Sequence, residues 1–191
     1  MLNNYKILTI THRNARLDEL KHFVIQGNDE DRVQANLNDI KTSFGIKELF
    51  YLNTCNRIMY MLFTEQECNA EFTARFFQAV NPQISELVGE KLGDMLQIYE
   101  GIDAIKHLYE VSSSIDSMVV GEREILRQVR NAYDQSLNWG LTGDNIRLAM
   151  QCTVESAKKV YANTRIGEKP VSVVSLAIQK LMQSRLSRKS S

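Results

Sequence analysis

The 191-residue chain is predicted to be an α+β protein: a ferredoxin-like split βαβ sheet followed by a helical subdomain. Three observations predict this. Residues 1–101 run in the order strand, helix, two strands, helix, strand. The second half carries helical spacing and no strand-like run. Gly45, Asn81-Pro82, Gly93 and Gly140 mark the ends of helical segments.

Tyr5 to Thr11 reads as the first strand, and Leu17 to Phe23 as a short amphipathic segment. The polar stretch Gln26 to Asp31 precedes a helix with Val33, Leu37, Ile40 and Phe44 at helical spacing. Two apolar, aromatic-rich runs follow, Leu49–Leu52 and Ile58–Phe63, too short for helices and read as a hairpin. Ala70 to Val80 is a helix, Ile84 to Leu92 another, and Met95 to Tyr99 the fourth strand. The helices of this sheet are expected on one face. Beyond it, Asp103 is expected to cap a helix reaching Ser114. A second runs from Glu122 to Trp139, with Ile125, Val129, Tyr133 and Leu137 as its apolar stripe. A third covers Asn145 to Asn163, and a fourth Ser172 to Ser187.

Composition is that of an ordinary globular protein with enough chain to bury a core. Lys plus Arg balance Asp plus Glu at 23 each, but unevenly along the chain. From Ser156 onward eight cations face one acid, Glu168. A basic end either meets a polyanion such as RNA or is a solvated helix face with a frayed tail; on charge alone the second reading leads. The three cysteines, Cys55, Cys68 and Cys152, match no disulfide framework or metal spacing, so a reducing compartment and no metal are expected. No signal peptide or membrane span is read, and a cytoplasmic location is expected.

Most of the functional information lies in Thr54-Cys55-Asn56-Arg57, at the junction of the hairpin. A cysteine there is flanked by a hydroxyl, an amide and a guanidinium, and a cation favours the nucleophilic thiolate. A half-buried structural cysteine in a polar turn is an equal reading of the tetrapeptide alone. His12, His22 and His107 each read first as surface histidines. The second informative stretch runs from Asp116 to Gln128. Gly121 permits a close approach to the next helix. Glu122 and Glu124 in its first turn complement the helix dipole, and Glu124 and Gln128 share a face. With Ser117 they can wall a small zwitterion; simple helix stabilisation is the plainer reading.

These residues, taken in order with Ala157-Lys158-Lys159-Val160, Thr164-Arg165-Ile166-Gly167 and Val171-Ser172-Val173, resemble the N-terminal part of glutamyl-tRNA reductase. The resemblance implies a reaction. A cysteine thiolate attacks the glutamyl ester of tRNA and forms a thioester. Hydride from NADPH then yields glutamate 1-semialdehyde, the precursor of 5-aminolevulinate and tetrapyrroles, including porphyrins. It implies Cys55 as nucleophile and His107 as its support. Thr54, Asn56, Arg57, Ser117, Glu122, Arg123, Glu124 and Gln128 are implied in substrate binding, with Arg57 a carboxylate clamp. It also implies glutamyl-tRNA as partner, glutamate-1-semialdehyde aminomutase as a second, and a homodimer for the full-length protein.

Three positions depart from the family pattern. Met59 stands where Glu is usual, Gly121-Glu122-Arg123-Glu124 where Gly-Glu-Pro-Gln is usual, and Ala15-Arg16 where Ala-Pro is usual. No Gly-x-Gly-x-x-Gly turn follows a strand. The expected organisation is therefore a cysteine-bearing part at 1–101, a helical part at 102–170, and at 171–191 the start of a connecting helix toward an NADPH-binding domain outside this chain. The rival readings are a non-catalytic tRNA-binding module on the same scaffold and a thioester-forming acyl transferase without redox function.

Overall fold

The computed structural model describes residues 2–27, 29–84, 91–117, 121 and 124–167. Its centre is a four-stranded antiparallel sheet of β1 (Tyr5–Thr11), β2 (Glu48–Thr54), β3 (Arg57–Phe63) and β4 (Gln97–Glu100), in the order β2-β3-β1-β4. That is the split βαβ order: β3 lies between β1 and β2, and β1 between β3 and β4. The helices are α1 (Leu17–Leu20), α2 (Glu30–Ser43), α3 (Ala70–Val80), α4 (Leu92–Met95), α5 (Ile102–Ser112), α6 (Glu124–Asn138) and α7 (Asp144–Asn163).

Both faces of the sheet are covered, not one. Leu8, Ile10, Leu49, Ile58, Tyr60 and Leu62 pack against Leu37 and Ile40 of α2 and Phe76, Phe77 and Val80 of α3. On the opposite face, Ile7, Phe50, Leu52, Met59 and Met61 meet Ala104, Leu108 and Val111 of α5 and Ile146, Ala149 and Met150 of α7. Every residue of β1 and β3 is buried as a result. Strands covered on both sides carry continuous apolar runs, where a half-solvated strand alternates. The run Ile58–Phe63 has this character.

α6 closes the free edge of β2. Ser136 is buried, and its Oγ accepts the Tyr51 N–H at 3.4 Å; just beyond the helix, Leu141 O accepts the Leu49 N–H at 2.9 Å. These bonds satisfy donors that an open edge leaves to solvent. The buried side of α6 therefore passes through Val129 and Ser136, and Leu137, expected in the stripe, is 46% exposed. The Tyr51 and Tyr60 rings stack at 4.9 Å, and Tyr60 Oη donates to Phe23 O at 2.7 Å.

α7 is tied to the sheet by a buried carboxylate. Glu48 accepts the N–H groups of Gly143, Asn145 and Ile146, at 3.0, 3.1 and 2.7 Å, and the Asn145 side-chain amide at 2.6 Å. An acid satisfying the orphan donors of a first helical turn also complements the helix dipole.

Boundaries shift in three places. Gly101, with φ 60°, caps α5, and Asp103 sits in its first turn. Gly93 lies inside α4. The fourth strand begins at Gln97, two residues later than expected. Most of the helix expected at 84–92, and the whole of that at 172–187, lie outside the described residues, as does the segment 171–191. Among the described residues no helix is long and apolar enough to cross a membrane.

Candidate functional site

β2 and β3 are joined by Cys55-Asn56 alone, Thr54 and Arg57 forming the last cross-strand pair. Thr54 Oγ1 donates to Arg57 O at 3.2 Å and accepts the Asn56 N–H at 3.4 Å. From the other flank the His12 N–H donates to Asn56 O at 3.0 Å, carrying the β1–β3 ladder into the turn. The loop is held on both sides, and Cys55 at its tip is exposed.

Alternation along β3 sends Arg57 to the same face as Met59 and Met61, the face that α5 covers. Arg57 is 6% exposed. Its Nη2 donates to Asp116 Oδ2 and to Asp116 O, both at 2.7 Å. Its Nη1 reaches His107 Nε2 at 3.1 Å. Three of the five guanidinium donors are thus engaged within the chain. A guanidinium can only donate, so His107 Nε2 is the acceptor and the ring proton sits on Nδ1.

His107 lies on α5, 2% exposed, with its ring stacked on Tyr99 of β4 at 4.0 Å. Burial pushes its pKa down to about 4, with the Arg57 charge acting in the same direction and Asp116 opposing. The ring is therefore neutral at pH 7, and the 4.0 Å approach of Nδ1 to Asp116 Oδ2 is not an ion pair there.

Asp116 is delivered by the end of α5. Ser114 adopts φ 60°, folding the chain back so that the Ile115 and Asp116 N–H groups donate to Glu110 O at 2.9 and 3.2 Å. Burial pushes the Asp116 carboxyl up. The hydrogen bond and charge of Arg57, with Arg13 adding to them, outweigh burial and hold it below the usual range. Arg13 Nη1 meets Asp116 Oδ1 at 2.5 Å, so the carboxylate bridges two guanidinium groups.

The structure gathers Thr54, Asn56, Arg57 and His107 around the cysteine hairpin, with Asp116 and Ser117 on the α5 side. Glu124 stands on α6, its two carboxylate oxygens taken by the Arg127 guanidinium. Gln128, one turn on, lines a cavity of about 700 Å³ that borders the hairpin at Asn53. Glu122 and Arg123 lie outside the described residues. Gly121, with φ 88°, faces the Ile166 carbonyl at the end of the chain's described part, where a side chain has no room. Asp116, Tyr99 and Arg13 join the site without having been assigned a role in it from the sequence. Asp116 had a signal, an acid opening the second motif directly before Ser117. Tyr99 and Arg13 had none beyond their places within β4 and just after β1.

Fold and site define an α+β domain whose antiparallel sheet presents a cysteine-tipped hairpin over a buried arginine. A family model described as "Glutamyl-tRNAGlu reductase, N-terminal domain" matches residues 8–164, and the chain belongs to that family. It is 28% identical over 189 residues to glutamyl-tRNA reductase of Thermodesulfovibrio yellowstonii, covering 96% of this chain and 44% of that protein. It is 32% identical over 173 residues to that of Solibacter usitatus, covering 91% and 40%. The solved structure of glutamyl-tRNA reductase from Methanopyrus kandleri superposes with a TM-score of 0.68 at 27% identity, over 95% of this chain and 40% of that one. The chain thus spans less than half the length of these relatives.

Proposed function

We propose that this chain is the thioester-forming part of a glutamyl-tRNA reductase, serving the first step of tetrapyrrole biosynthesis. The observation that carries the reading is the exposed Cys55 at a hairpin tip held on both flanks, with the buried Arg57 next in the ladder. In this reading the Cys55 thiolate attacks the ester carbonyl of glutamyl-tRNA. The carbon–sulfur bond forms, the bond to the ribose oxygen breaks, and that oxygen leaves with a proton. Thiolate suits the task because it is a strong nucleophile toward an ester. Two residues on from the thiol, the Arg57 guanidinium supplies a positive charge at the base of the hairpin. Its two remaining donors are oriented by the bonds to Asp116 and His107, and preorganised donors act where charge develops. His107, neutral and accepting from Arg57, acts on the thiol through that arginine.

The family's second half-reaction takes hydride from NADPH. The described residues do not fit that cofactor: the sheet is antiparallel throughout, without the parallel βα turn that cradles a pyrophosphate. In this reading NADPH is held by parts of the full-length protein outside this chain. The homodimer and contact with the aminomutase belong to the same proposal for the full-length protein. The test is deacylation of glutamyl-tRNA by this chain without NADPH, compared with Cys55→Ser. Loss of deacylation in Cys55→Ser, with its unfolding midpoint kept, supports the reading; equal deacylation by both proteins contradicts it. A chain that binds the tRNA without deacylating it is the binding module instead.

A further inference from the structure

Arg57 and Asp116 meet the His107 ring at its edge. Nε2 lies 3.1 Å from Arg57 Nη1, and Nδ1 stands 4.0 Å from Asp116 Oδ2, beyond hydrogen-bond reach. The Nε2 lone pair lies in the plane of the imidazole. A bond at one nitrogen fixes the direction of that edge and leaves the plane free to tilt about it, and histidine χ2 is a broad torsion. Tilting carries the lone pair off the line to the guanidinium hydrogen, and a hydrogen bond weakens steeply as it bends.

Tyr99 covers the face. The two rings lie 4.0 Å apart, centroid to centroid, and within 9° of parallel. The Tyr51 and Tyr60 rings, stacked in the opposite layer, stand at 4.9 Å and 24°. The chain's own turn builds this contact. Gly101 at φ 60° sends the backbone straight from β4 into α5, and its N–H donates to Tyr5 O at 2.8 Å, which pins the turn to β1. Side chains on a helix lean toward its N-terminus, so His107, in the second turn of α5, is brought back over β4. Tyr99 pairs with Ile7 in the β1–β4 ladder, and both belong to the layer that α5 covers. Next to it Glu100 is held by Lys6 at 2.9 Å. Tyr99 cannot slide along its strand without breaking these bonds.

We propose that Tyr99 is a positioning residue of the acyl-transfer site: its ring face fixes the plane of His107, and with it the hydrogen bond that orients Arg57 at the base of the Cys55 hairpin. This role deepens the acyl-transfer reading and rests on it for its effect on rate; the state of the imidazole tests it independently. The flat face acts, not the phenol oxygen. Phenylalanine can therefore replace Tyr99, whereas leucine fills space and offers no plane.

The test joins heteronuclear NMR of the His107 ring at pH 7 to the single-turnover rate of glutamyl-tRNA deacylation without NADPH, in the wild type, Tyr99→Phe and Tyr99→Leu. The wild type is expected to hold one tautomer, with the proton on Nδ1. Tyr99→Leu is expected to mix the two tautomers. It is also expected to slow the maximal rate by roughly two- to tenfold, the worth of one aromatic pair, at an unchanged half-saturating concentration of tRNA. Tyr99→Phe is expected to restore the single tautomer and the rate. A tautomer mixture in the wild type overturns the proposal. So does a Tyr99→Leu chain that keeps the wild-type tautomer and rate while its unfolding midpoint falls, which makes Tyr99 a packing residue only. Equal impairment of Tyr99→Phe and Tyr99→Leu overturns it as well and assigns the effect to the hydroxyl. A rise in half-saturating tRNA alone makes Tyr99 a substrate contact instead. If the wild type deacylates nothing, the acyl-transfer reading falls and the tautomers decide. A mixture confined to Tyr99→Leu then keeps Tyr99 as the residue that positions His107, and no difference between the chains removes it.

Discussion

Arg57 Nη1 donates to His107 Nε2 at 3.1 Å, a buried cation set against an imidazole that burial keeps neutral. The arrangement holds only while the ring is unprotonated, because a second proton would sit against the guanidinium.

The first prediction is therefore a pH dependence of stability. The unfolded chain protonates this histidine near pH 6.5, the folded chain only near 4. Between those values the unfolded state binds more protons, so stability falls as pH drops from 6.5 toward 4. The loss from this group amounts to about 3 kcal/mol at most. Asp116, held below its usual range, adds a further loss below about pH 4. Urea unfolding from pH 7 to 4 measures it. His107→Gln is expected to flatten the curve between 6.5 and 4, and an unchanged slope in that variant would assign the loss to other groups.

Arg57→Lys is expected to fail. One ammonium cannot span Asp116 Oδ2, Asp116 O and His107 Nε2, which the planar guanidinium reaches together. A loss of about 1–3 kcal/mol in unfolding free energy is expected, together with loss of glutamyl-tRNA deacylation. Near-normal values of both in the lysine variant would remove the geometric role.

Glu48→Ala leaves four donors at the start of α7 without their acceptor. The cost is expected at about 3 kcal/mol, and less for Glu48→Gln, which keeps one acceptor oxygen. Thermal unfolding of the two variants checks the order. Equal, small shifts would mean that water replaces the carboxylate.

The three cysteines are expected to label unequally. Burial pushes the Cys68 thiol up to about 11, and Cys68 sits in the core under α3. Cys55 and Cys152 are exposed. Iodoacetamide at pH 7.5 is expected to modify Cys55 first, Cys152 next, and Cys68 only on unfolding. Labelling of Cys68 in the folded chain at the rate of Cys55 would contradict the packing.

Much of the fold was legible. Helix α2 was readable from Val33, Leu37, Ile40 and Phe44, and its end from Gly45, which takes φ 61°. The hairpin was readable from two aromatic runs around a polar tetrapeptide. The second helical layer was not expected, although Ile58–Phe63 carried the signal in its lack of alternation. Leu137 was misplaced because α6 docks on an edge strand, where a hydroxyl at Ser136 serves better than a methyl group. The Arg57–Asp116–His107 cluster was illegible as a cluster. His107 and Asp116 lie 50 and 59 residues from Arg57, and no local period brings a strand end, a helix interior and an αL turn together. Residue types and motif order pointed to the participants; the pairing came from the fold.

The central claim is that Cys55 carries the glutamyl group. Its most direct test is mass spectrometry of the chain quenched in acid seconds after mixing with glutamyl-tRNA, without NADPH. A glutamyl adduct is expected on the peptide containing Cys55, with free tRNA, and none in Cys55→Ser. A glutamyl group found on another residue, or tRNA released with Cys55 unmodified at every time point, would contradict it.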